Sequence, residues 1–229
     1  MTDPMPPIPT PDAVQRLQLA VTRRSETDYT FDFWTALGWT ILTCGIYGFY
    51  VFYRLFWRSV EHNKRRLEVL DAATMVAWQR ATAAGRGDEL TPRFQSVGVH
   101  LGELRKLSTE FRDPAIWTLI SIVSSGIGQI VGYIFLDQDL VRHERAEQAA
   151  EQELATLYAD LGVPVALPAA GPTKQPHGYV GRIVALLLTC GIYGLWWLYD
   201  LMTEGNEHQA RTWASDDALW TAAGALAQQ

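Results

Sequence analysis

The polar and apolar positions of this 229-residue chain are strongly segregated. No Asp, Glu, Lys or Arg occurs between Asp32 and Arg54, between Asp113 and Asp137, or between Arg182 and Asp200, leaving charge-free runs of 21, 23 and 17 residues. A helix needs about 20 consecutive apolar residues to cross a bilayer. Each run is followed by a long stretch with apolar positions at spacings of three and four among charged ones, the pattern of an amphipathic helix. The pattern therefore predicts an all-α protein of three units, each an apolar membrane segment followed by a polar helix. Segments 33–57, 114–136 and 179–203 are the expected membrane parts of repeats spanning 31–84, 114–162 and 178–229.

The units are repeats. "LTCGIYG" occurs at Leu42–Gly48 and again at Leu188–Gly194, an offset of 146, and Tyr53, Glu61, His62 and Arg65 match Tyr199, Glu207, His208 and Arg211. At an offset of 81 the middle run joins them: Gly45 falls on Gly126, Ile46 on Ile127 and His62 on His143. A Gly and a His 17 residues apart thus recur three times, as Gly45/His62, Gly126/His143 and Gly191/His208. The middle copy is degenerate, with Gly128 in place of Tyr47 and Ile134 in place of Tyr53. Repeats at long period constrain the fold more than any local signal.

Two readings of each apolar run remain open. It crosses the bilayer once, or it bends at glycine and returns. The hairpin is favoured, because it puts the three related polar helices on one side. Flanking Lys and Arg also show no excess on alternate sides, as single crossings would require. Gly45, Gly48, Gly126, Gly128, Gly191 and Gly194 are the expected structural pivots, and the hydroxyls of Thr43, Ser124, Ser125 and Thr189 are placed to serve the turn. Tyr53, Trp57, Trp196, Trp197 and Tyr199 are the expected headgroup-level aromatics. Cys44 and Cys190 read as small packing residues.

The motifs "TCGIYGFYVFYRL" and "TCGIYGLWWLYDL" resemble the bacterial membrane proteins that carry domain of unknown function 4234, in about 35 residues at each of two places. The resemblance implies a small integral protein of the bacterial inner membrane, its polar segments cytoplasmic. It carries no activity and no site residues.

The rest of the chain is polar. The segment 1–30 is a Pro-rich N-terminus without the form of a signal peptide, with a short amphipathic helix capped by Asp12 and bearing Val14, Leu17 and Val21. The first polar helix is expected to reach Ala84 and stop at "GRGDELTP". Val97, Leu101, Leu104 and Phe111 mark a further helix within 85–113, and 163–177 is a Pro/Gly linker. A net charge of −6 with no basic patch excludes nucleic acid as a partner.

His62, His143 and His208 form the one tempting constellation. Three neutral imidazoles with an open position are a catalytic zinc pattern, but close ligand spacing such as H-x3-H is missing. They read as boundary residues, so no catalytic, cofactor or metal residue and no cofactor is assigned. The expected function is a non-enzymatic membrane scaffold that shapes or organises a bilayer and self-assembles through hairpins and same-side helices. Its partners would be the lipid bilayer and further copies of itself or a membrane complex. The rivals are an accessory subunit of a transport or channel complex with true spans, and a histidine-dependent metal enzyme.

Overall fold

The structure is a computed structural model describing residues 12–109, 112–169, 175 and 177–229; Phe111 and most of the Pro-rich terminus lie outside this set. Every regular element among the described residues is a helix: α1 (Ala13–Thr22), α2 (Arg24–Thr27), α3 (Phe33–Leu42), α4 (Ile46–Ala83), α5 (Gly87–Thr109), α6 (Pro114–Val123), α7 (Ile127–Asp160), α8 (Tyr179–Leu188) and α9 (Tyr193–Ala227).

Each apolar run is broken at its pivot into a short arm and the start of a long helix. The arms α3, α6 and α8 have ten residues each, about 15 Å at 1.5 Å per residue, half of a ~30 Å hydrocarbon core. The long helices acquire charge soon after the pivot, at Arg54, Asp137 and Asp200. No helix of the described residues is long and apolar enough to cross a membrane. This overturns the expected integral membrane fold, its transmembrane helices and its inner-membrane location. The runs have the length of a span, but the chain turns in the middle of each and spends that length twice over half the distance.

Local sequence accounts for the turns. Asp32 caps α3 by accepting from the Thr35 N–H at 2.7 Å, and Asp113 caps α6 by accepting from the N–H groups of Ala115 and Ile116. Each arm ends in two successive left-handed residues: Cys44 and Gly45 (φ 50° and 94°), Ser125 and Gly126 (51° and 92°), Cys190 and Gly191 (49° and 93°). Glycine adopts this region without the Cβ clash that penalises other residues. The glycine N–H then donates back to the carbonyl of Thr40, Ser121 or Leu186 at 2.8, 3.1 and 2.8 Å. The hydroxyls of Thr43, Ser124 and Thr189 accept from the N–H of Tyr47, Gly128 and Tyr193 at 2.9, 2.7 and 3.0 Å. The middle copy makes the same turn despite its divergent sequence. Cys44 and Cys190 are exposed on these turns, not packed as expected.

The long helices α4, α7 and α9 pack on one another, with α1 against α4 and α9 and α5 against α4 and α7. Two apolar cores result. The upper, nearer the turns, centres on Phe52, Phe56, Tyr133, Trp197 and Leu201. The lower contains Leu17, Leu70, Leu104, Leu154, Leu157 and Leu219. Tyr158 fixes the lower core by donating its hydroxyl to the Ala73 carbonyl at 2.8 Å. Helix α4 ends at Ala83 and α5 begins at Gly87, so the expected break at "GRGDELTP" is shorter than the motif and Pro92 lies within α5. Asp88 and Glu89 in its first turn suit the positive end of the helix dipole.

Candidate functional site

Two regions stand out: the apolar end formed by the turns, and a charged layer between the two cores.

The turns leave large apolar side chains in the open. Leu42 and Ile46 of the first copy are 72% and 73% exposed, Val123 and Ile127 of the second 72% and 68%, and Leu188 and Ile192 of the third 80% and 70%. The exposure continues along the arms through Trp34, Ile116 and Val180. Between the three ends lies an apolar depression of about 350 Å³, lined by Leu37, Ile130, Leu186 and Leu198 among others. Of the aromatics expected at a boundary, Trp196 and Tyr199 are exposed, Tyr53 and Trp57 are half-buried, and Trp197 is fully buried in the upper core. Arg54 marks the edge of the apolar zone, its guanidinium 4.2 Å from the Tyr29 ring and 4.1 Å from that of Trp57. The second glycine of each motif lies near its own arm. A Cβ on Gly128 would come within 2.8 Å of Ile120, and one on Gly194 within 3.1 Å of Leu186.

Below the upper core, α4, α7 and α9 bring the three repeated histidines together. Their ring centroids are 5.5 Å (His62–His143), 4.9 Å (His62–His208) and 5.5 Å (His143–His208) apart, and each ring is buried. The equal Gly-to-His spacing, on helices that start from the same turn, delivers them to one level. The Nε2 atoms of His62 and His208 are 3.1 Å apart. Glu147, one turn after His143 on α7, places Oε2 at 3.5 Å from His208 Nε2 and 3.8 Å from His143 Nε2. His143 has no hydrogen-bond partner for either ring nitrogen. A cavity of about 40 Å³ lies against the three rings, with Arg58, Asn63 and Gln209 also on its wall.

Charged side chains hold this cluster. Asp28 accepts from Arg65 at 2.7 Å and from the Trp213 indole at 2.6 Å, and its other oxygen lies 3.0 Å from His62 Nδ1. Arg65 also donates to Asp216 at 2.6 Å. Arg66 donates to Glu147 Oε1, Glu151 and Asp216. Burial alone would raise the pKa of Glu147, but the charge of Arg66 overcomes it and holds the carboxyl well below the usual range. Asp28 is likewise held down against burial by His62, Arg65 and Trp213. Burial pushes His143 down to about 4 and His208 well below the ordinary value, against the pull of Glu147. Both imidazoles are therefore neutral, and Glu147 ionised, at neutral pH.

A smaller cluster ties the linker to the body. His177 Nδ1 lies 2.6 Å from Asp137 and its Nε2 3.2 Å from Glu204, and the Tyr179 hydroxyl donates to Asp137 at 2.6 Å.

Glu147 and Asp28 are the participants that reading the sequence missed. His143 and Glu147 stand four apart on one helix, which puts them on one face; this was the available signal for Glu147. At the equivalent positions the other copies carry Arg66 and Thr212, so the repeat conceals it.

No protein-family model, curated protein or solved structure matches the chain. Fold and site define a three-hairpin helical body with an apolar end and a buried histidine–carboxylate layer.

Proposed function

We propose that this chain is a non-enzymatic docking scaffold whose apolar end seats in one leaflet of a lipid surface without crossing it, the charged body remaining in water. The observation that carries this reading is the chemistry of the turns. A reversal in water needs no internal partners for its backbone, whereas in hydrocarbon each unpaired polar group costs several kcal/mol. Here Cys44, Gly45, Ile46, Tyr47 and Gly48 all donate their N–H groups within the turn. The apolar surface also continues from the tips along the arms. A second copy facing the tips would leave those flanks wet, while a fluid apolar phase covers both. Full burial of one Leu, Ile or Val contributes about 1.5–3 kcal/mol, so each tip offers several kcal/mol. The likeness of both "GIYG" motifs to the Gly-Ile-Tyr-Gly family stands as a proposal of kinship, supported by the turn made at Gly45 and Gly191.

Flotation of the full chain with neutral phosphatidylcholine vesicles tests the reading. The expected result is co-flotation, lost when Leu42→Glu, Val123→Glu and Leu188→Glu are combined, with helicity unchanged because these side chains contact little of the body. A wild-type chain that stays monomeric and vesicle-free refutes it. Self-association that the same substitutions abolish, without vesicle binding, replaces the lipid by a second copy.

A further inference from the structure

The histidine layer has a chemistry that docking does not use. We propose that His62, His143, His208 and Glu147 together bind one divalent first-row metal ion of the zinc class, which joins the three repeats at their common level. Four observations support this independently of the apolar end.

The first is the donor set. Three imidazoles and a carboxylate supply four ligand atoms, all within 4.8 Å of one another and all buried. Ligands around tetrahedral zinc at 2.0–2.1 Å lie about 3.3–3.4 Å apart. The separations of 3.1 Å between His62 and His208 and 3.5 Å between His208 and Glu147 fall close to that edge.

The second is the orphaned ring. His143 is 2% exposed and neither of its nitrogens has a hydrogen-bond partner, Glu147 Oε2 standing 3.8 Å from Nε2. A buried polar group left unsatisfied costs about 1–3 kcal/mol, and an ion on the cavity side would satisfy one of the two nitrogens.

The third is the surrounding shell. Metal-bound histidines usually donate their other N–H to a carboxylate, which fixes the tautomer. Asp28 stands 3.0 Å from His62 Nδ1, which turns the Nε2 lone pair toward the cluster. Arg66 occupies Oε1 of Glu147 and leaves Oε2 facing the imidazoles.

The fourth is the placement of the donors on three different helices. With four protein ligands the set is closed, as in structural rather than catalytic zinc sites. Three of the four come from the three repeats at one equivalent position, so the ion crosslinks α4, α7 and α9.

The full chain, stripped with chelator, is titrated with zinc alone and with cobalt(II) alone. The expected result is one equivalent bound, a raised melting temperature and the intense visible absorption of tetrahedral cobalt(II). His143→Leu is expected to weaken zinc binding at least 100-fold while retaining the fold, since it removes two unpartnered buried nitrogens. Asp28→Asn weakens it about 10–100-fold. His177→Ala, which removes the smaller Asp137–Glu204 cluster, leaves affinity and stoichiometry unchanged. Absence of a stoichiometric site, binding that survives His143→Leu, or binding abolished by His177→Ala overturns the proposal. Should His143→Leu not fold, the wild-type cobalt spectrum decides: weak octahedral bands refute the site.

Discussion

Gly205 offers a test of how tightly the charged layer is packed. It lies inside α9, where Ala is ordinarily preferred to Gly by about 0.8–1 kcal/mol. Here a Cβ would stand 2.1 Å from Arg58 Nη2 and 2.6 Å from its Cζ, and the three nearest atoms all belong to Arg58. The guanidinium borders the small cavity, but it would have to give up contacts to retreat. It is 5% exposed, donates to Asn206 at 2.9 Å and to the Leu201 carbonyl at 3.1 Å, and lies 4.7 Å from the Phe31 ring. Losing one hydrogen bond of a charged group costs about 1.5–3 kcal/mol, and overpacking adds about 1–3 kcal/mol. Set against the helix preference, Gly205→Ala is expected to destabilise by about 2–4 kcal/mol. Arg58→Ala removes the three nearest of these atoms, so in that background Gly205→Ala should stabilise by up to about 1 kcal/mol. The assay is urea unfolding of the four proteins of the double-mutant cycle, with a coupling of about 2–5 kcal/mol expected. Gly205→Ala that is neutral in the wild-type background, or a coupling below about 1 kcal/mol, would show that Arg58 is not confined as described.

Other outcomes follow from the same contacts. Arg66→Met leaves Glu147, Glu151 and Asp216 without their shared cation and should cost about 3–5 kcal/mol in chemical denaturation. Thr43→Val and Thr189→Val each remove an acceptor for a turn N–H and should cost about 1 kcal/mol in aqueous unfolding experiments, with a larger loss for the vesicle-bound protein if the turns lie in lipid. Asp28 has a native pKa below its ordinary 3.8; the unfolded chain therefore binds the proton first as pH falls. Its stabilising contribution is complete above the ordinary value and lost as pH drops through the native one. Asp28→Asn should accordingly lower stability at neutral pH and flatten the acid limb, as read by melting temperature against pH; an unchanged acid limb contradicts this.

Much of the plan was legible in the chain. The recurrence of Gly45, Gly126 and Gly191 locates the turns, because a left-handed residue at a fixed place in a repeat favours glycine. The constant 17-residue step to His62, His143 and His208 puts the rings at one level once the three helices start alike. Charge-free length was the misleading signal: 21 residues fit a span and a folded pair of arms equally, and hydropathy does not register a turn whose backbone pairs internally. The partners of the histidines were hidden for another reason. Asp28 precedes the first repeat, and Glu147 sits where its sister copies carry Arg66 and Thr212, so neither could emerge from matching one copy to another. Trp197 illustrates the same limit. Tryptophan beside an apolar run suggests a boundary, yet here it is buried in the upper core, at a position where the sister copies carry the smaller Val51 and Gly132.

Those unequal sister positions have a consequence for how far the three units are interchangeable. At one level of the layer the three copies contribute Arg66, Glu147 and Thr212, and one turn further Leu70, Glu151 and Asp216. Three hairpins that all carried the arginine of the first copy, or the glutamate of the second, would bury three like charges there and drive each other apart. A trimer of identical single units cannot carry this arrangement, so no third of the chain can stand in for another.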